Sequence, residues 1–116
     1  LNALTSISAG NRIEAINYYK EIIDIQENQS WRIWKSLLKC ILEIEEWSEL
    51  LKLSLRAKKY FPNKPFLDFT ISGCLLKDGK LNEAIYFYQS GSKSSKIPIK
   101  LSKYFPEFTD NKALLI

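Results

Sequence analysis

The sequence predicts an all-α protein built from repeated helix pairs, and three observations carry that expectation. Apolar residues recur at helical spacing, so that Trp34, Leu37, Leu38, Ile41 and Leu42 fall on one stripe of a helix. A ten-residue block near the start returns 69 residues later without a gap. Gly and Pro number only four each, and most of them fall where a helix should turn, start or stop.

The repeat organises the chain. Gly10-Asn11-Arg12-Ile13-Glu14-Ala15-Ile16-Asn17-Tyr18-Tyr19 matches Gly79-Lys80-Leu81-Asn82-Glu83-Ala84-Ile85-Tyr86-Phe87-Tyr88, with Gly, Glu, Ala, Ile and the final Tyr in common. An offset of 69 is about twice the 34-residue period of one class of helix-turn-helix repeat. A degenerate copy therefore belongs halfway, and Glu45-Glu46-Trp47-Ser48-Glu49-Leu50-Leu51-Lys52 supplies it. A shift of 34 carries Leu37 to Ile71, Ile41 to Leu75, Leu42 to Leu76, Trp47 to Leu81 and Leu50 to Ala84, apolar onto apolar each time.

The repeats divide the chain into about 1–29, 30–64 and 65–95, with a segment 96–116 beyond them. In the first, Gly10 is expected at the turn of a pair and Ala15 at the point where its helices cross closely. The middle repeat opens with the Trp34 stripe, turns near Glu45 and anchors at Trp47. Its second helix carries Leu50, Leu51, Leu53, Leu55 and Ala57, and stops at Tyr60-Phe61-Pro62-Asn63. Pro65 suits the first turn of the next helix, where a missing N–H is harmless. Gly79 marks the third turn and Ala84 the third close crossing. Ser90-Gly91-Ser92-Lys93-Ser94-Ser95 reads as a loop. Ile99, Leu101, Tyr104 and Phe105, bracketed by Pro98 and Pro106, read as a short amphipathic turn that caps the last repeat, docks onto a partner or returns to the groove.

These residues resemble the tetratricopeptide repeat family over roughly residues 1–95. The resemblance rests on Trp34, Leu37, Trp47, Ala57 and Pro62 in the middle repeat. It rests also on Ile71, Gly79, Ala84 and Tyr88 in the third, and on Gly10, Ala15 and Tyr19 in the first. It implies a right-handed solenoid of antiparallel helix pairs, with residues 96–116 as cap or tail. Asp68 departs from it by standing where Trp34 stands one repeat earlier, as do Leu38 and Ser72 where Gly or Ala is usual. The pentatricopeptide RNA-binding family is the rival, through Ile71-Ser72-Gly73 and the block from Gly79 to Ala84. Matching both blocks to that family leaves one residue too many between Gly73 and Gly79.

The resemblance also places a site. The first helix of each pair lines the concave face of such a stack. That stripe would carry Arg32, Lys35, Lys39 and Leu42 in the middle repeat, and Phe66, Phe69, Gly73 and Leu76 in the third, with Leu4 and Ile7 from the first. A groove basic on one side and apolar on the other suits an acidic amphipathic helix or peptide. The bland alternatives are a solvated face for the cations and core packing for the aromatics. The carboxylate clamp of some relatives is not expected: Lys35 fits one place, but Lys39 and Thr70 stand where Asn is usual. Trp34 and Trp47 read as core anchors, and Cys40 and Cys74 as small buried apolar residues.

Composition narrows function by exclusion. Seventeen basic and 13 acidic residues give a charge of +4, interleaved along the chain, which a solvated helix surface explains without nucleic acid. There is no His, the commonest general base, and no phosphate-cradling Gly loop. No metal motif is formed by two isolated Cys. No enzyme activity or cofactor is expected. No apolar run approaches the ~20 residues of a membrane span. The chain begins at Leu1 and contains no Met, which reads as a piece of a longer protein. Compartment stays open, with the intracellular side favoured. The function expected is a scaffold that binds a peptide or helix of another protein. The alternatives are an extension or self-contact of a longer solenoid, or RNA binding.

Overall fold

The protein is described by a computed structural model covering residues 9–110 and 114. It is all-helical, with no strand among the described residues. The elements are α1 (Ala9–Ile25), α2 (Trp31–Glu43), α3 (Trp47–Lys58), α4 (Pro65–Lys77), α5 (Leu81–Ser92), α6 (Ile99–Tyr104) and α7 (Glu107–Asp110). The chain forms two compact units, Leu1–Glu49 and Leu50–Ile116, and α3 begins in the first and continues in the second.

In the first unit α1 packs on α2. Ala15, Ile16, Tyr19 and Ile23 are buried on α1, at the spacing that puts one face of a helix inward. On α2 the buried stripe is Trp34, Leu37, Leu38, Ile41 and Leu42, as the periodicity predicts. Ser30 caps α2 by accepting the Ile33 N–H, at 3.4 Å. Trp34 is fully buried, and its indole N–H donates to the Glu27 carbonyl at 3.1 Å, so the one polar atom of the ring is satisfied. Lys20 pairs with Glu49 at 2.9 Å and Arg12 approaches Glu43 at 3.6 Å. The expected turn at Gly10 is not there: Gly10 is the second residue of α1, and a Cβ on it would meet nothing. Leu4 and Ile7 lie outside the described residues.

In the second unit α4 is the central element. Every residue from Leu67 to Leu75 is buried, so α4 is enclosed on all sides rather than along one stripe. Pro65 is its first residue, as the sequence predicts. α5 packs along it, with Ile71, Leu75 and the fully buried Ala84 at the centre of the contact. The helices approach closely enough there for the buried Ser72 hydroxyl to donate to the Ala84 carbonyl at 2.7 Å. The buried Asp68 accepts from Lys58 at 2.8 Å and from Ser90 at 3.3 Å, which ties α3, α4 and α5 together. Lys58 also donates to the Pro62 carbonyl at 3.0 Å.

The Ser-rich stretch differs from its sequence reading. Ser90, Gly91 and Ser92 are not loop but the last turn of α5. Gly91 lets α5 lie against α4, since a Cβ there would come within 3.2 Å of Asp68 and Phe69. Tertiary packing and the Asp68 link outweigh the weak helix propensity of Ser and Gly. Beyond Pro98 the segment folds as α6 and α7, and buries Leu101, Phe105 and Phe108. α7 packs on α4.

A regular interval runs through the middle of the chain. α2 and α4 begin at Trp31 and Pro65 and end at Glu43 and Lys77, 34 residues apart at both ends. α3 and α5 begin at Trp47 and Leu81 and end at Lys58 and Ser92, again 34 apart. The backbone turns through positive φ after α2 at Glu45 (58°) and after α4 at Gly79 (75°), the same interval once more. Gly at the second place is free of strain, whereas Glu45 carries a side chain in the left-handed region.

Candidate partner-binding residues

The seven candidate residues divide into two sets, one in each unit. In the first unit, Arg32, Lys35 and Lys39 follow one another at spacings of three and four on α2, so they share a face. Arg32 and Lys35 are exposed and Lys39 is half-buried. That face lies opposite the stripe centred on Trp34 and Ile41. Leu42 differs: it is 3% exposed and belongs to the buried stripe, where it cannot meet a partner. The resemblance sets it on the outward stripe beside the three cations, whereas packing puts it in the core.

In the second unit, Phe66 and Leu76 are half-buried and Phe69 is buried at 1% exposure. Leu76 packs against the cluster of Ile71, Leu75 and Ala84. Phe69 meets Tyr88 of α5 edge-on at 5.4 Å between ring centres and Phe108 of α7 at 6.4 Å. Phe69 is therefore a packing residue in this state of the chain, covered by the C-terminal segment. Phe105 of that segment lies on Gly73, where an added Cβ would come within 2.5 Å of the ring. Lys77 pairs with Glu107 at 3.0 Å and lies 5.5 Å from the centre of the Phe105 ring. The sequence signalled this segment by apolar residues between two prolines, but no pattern indicated where it would dock.

The chemistry of the remaining candidates is restrained. Cys40 and Cys74 are free thiols. Burial pushes the Cys74 thiol up to about 12. Burial and then Glu43 also raise Cys40. Both thiols therefore stay protonated and weakly nucleophilic near neutral pH. Trp34 is a core anchor, as expected, and Trp47 is half-buried. Thr70, weighed as part of a carboxylate clamp, is fully buried within α4. No group of three or more His, Cys, Asp or Glu that could hold a metal occurs among the described residues. No described helix is long and apolar enough to cross a membrane. In comparisons with family models and with curated proteins, the chain matches none.

Proposed function

We propose that this chain is a protein-interaction module of tetratricopeptide type, without catalytic activity, that takes an acidic helix or peptide of another protein. The observation that carries the reading is the 34-residue interval shared by the ends of α2 and α4, the ends of α3 and α5, and the two positive-φ turns. That interval is the period of the family the residues resemble. A paired-helix repeat of this kind presents side chains on rigid elements, which suits binding. The cationic face of Arg32, Lys35 and Lys39 supplies long-range steering toward acidic partners.

The test is affinity capture from a lysate with native chain beside an Arg32→Glu, Lys35→Glu variant of equal helicity by circular dichroism. A specific protein is captured by the native chain and lost from the variant, and capture survives nuclease treatment. Partners that persist on the variant would refute the α2 face as the site. Capture that disappears with nuclease would instead support the RNA-binding alternative.

A further inference from the structure

We propose that the face of α4 bearing Phe69, Gly73 and Lys77 is a recognition surface for a helical segment of another protein. That segment carries two aromatic residues three positions apart, with a carboxylate immediately before the second. Residues 99–110 hold the face until it arrives. This rests on reading the chain as a protein-binding module.

The occupant already seated defines the chemistry. Phe105 and Phe108 are three residues apart and both are buried on the α4 side. Phe105 fills a slot that exists because position 73 has no side chain: a Cβ would stand 2.5 Å from the ring. Phe108 meets Phe69 at 6.4 Å and Tyr88 at 5.4 Å between ring centres. Glu107, between the two rings, reaches Lys77 at 3.0 Å, and the Lys77 ammonium lies 5.5 Å from the Phe105 ring centre. Slot, aromatic wall and cation form a site selective for this triad of side chains.

The seated segment is a weak version of such a ligand. α6 has six residues and α7 four, both too short to hold helical form without their seat. Pro106 interrupts them, so the rings are presented by two broken turns instead of one continuous helix. The tether from Lys93 to Lys96 is exposed throughout, and Ile99 remains 80% exposed. An uninterrupted helix with the same triad retains the backbone bond that Pro106 forfeits. It competes against a tethered occupant at an effective concentration on the order of millimolar, so displacement is a threshold event.

The probe is a labelled peptide with the sequence of residues 99–110 and Pro106→Ala, titrated by fluorescence anisotropy into the full chain. On a Phe105→Ala, Phe108→Ala chain that keeps native helicity, affinity rises about tenfold or more over the native chain, because the occupant is weakened. A Glu107→Lys peptide binds worse, and a Lys77→Glu chain restores it. Equal binding to native and weakened chains, or none to either, overturns the proposal. Hydrogen exchange on the native chain gives a second readout that needs no variant. Amides of 101–110 exchange well ahead of those of 69–76; exchange of both only through global unfolding makes the segment a permanent part of the core and overturns the proposal. A concentration-dependent dimer of the native chain with the segment still protected assigns the face to a second copy and likewise overturns it. These variants leave the α2 face intact, so the capture experiment can succeed or fail independently.

Discussion

Replacing Glu45 by Gly stabilises the protein. Glu45 holds φ at 58°, in the left-handed region, and its side chain is exposed. A non-Gly residue in that region costs roughly 1–2 kcal/mol through the clash of Cβ with the backbone carbonyl. Gly removes the clash but gives the unfolded chain about 0.4–1 kcal/mol of extra conformational freedom. The difference leaves a net gain of about 0.5–1 kcal/mol. For a chain of this size that raises the melting midpoint by roughly 2–6 °C. The assay is paired urea and thermal denaturation followed by far-ultraviolet circular dichroism. Gly79→Ala is the mirror experiment, since Gly79 sits at 75° and an added Cβ meets no other atom. It lowers stability by a similar amount through backbone strain alone. A Glu45→Gly chain less stable than native by about 1 kcal/mol would refute the reasoning, because strain relief would then be smaller than some contact of the Glu45 side chain.

Three further outcomes follow from packing and charge. Gly73→Ala destabilises by about 1–2 kcal/mol because its Cβ collides with the buried Phe105 ring, whereas Gly10→Ala, with open space around it, stabilises by about 0.5–1 kcal/mol; chemical denaturation compares them. Asp68→Ala costs about 2–3 kcal/mol in urea denaturation, short of the loss for a fully buried pair because Lys58 keeps the Pro62 carbonyl and some water. The raised folded-state value of Cys74 means that the folded chain keeps a proton the unfolded chain releases. Its contribution to stability is complete below about 9 and declines as pH rises toward about 12, and Cys74→Ala flattens that part of the stability profile measured from pH 8 to 10.5.

Much of the helical framework was legible because local signals coincided. The Trp34 stripe, Pro65 and Gly79 each mark a helix face, start or turn by stereochemistry that needs no distant partner. α4 was harder. Its nine consecutive buried residues include Asp68, Thr70 and Ser72, and its polar pattern suggests an exposed side that does not exist. Asp68 and Ser72 are inside because Lys58, Ser90 and the Ala84 carbonyl answer them, and a single sequence does not display pairings across helices. The candidate site divided along the same line. Arg32 and Lys35 are exposed as their charge dictates, but Leu42 and Phe69 are buried, since an apolar residue on a wheel fits a core as well as a groove. The segment after Pro98 was recognisable as apolar, whereas its seat on Gly73 depends on a missing side chain 32 positions away.

The polar links of the second unit are short in sequence. Lys58 and Asp68 are ten residues apart, Ser72 and Ala84 twelve, Ser90 and Asp68 twenty-two, and Lys77 and Glu107 thirty. The Ser72–Ala84 loop lies inside the Asp68–Ser90 loop, so closing the first shortens the second and lowers the entropy of its closure. Links of such short span favour fast assembly. The main helix contacts of the unit, α4 with α5 and α4 with α7, both involve α4, so residues 99–110 dock on a helix that α5 already flanks.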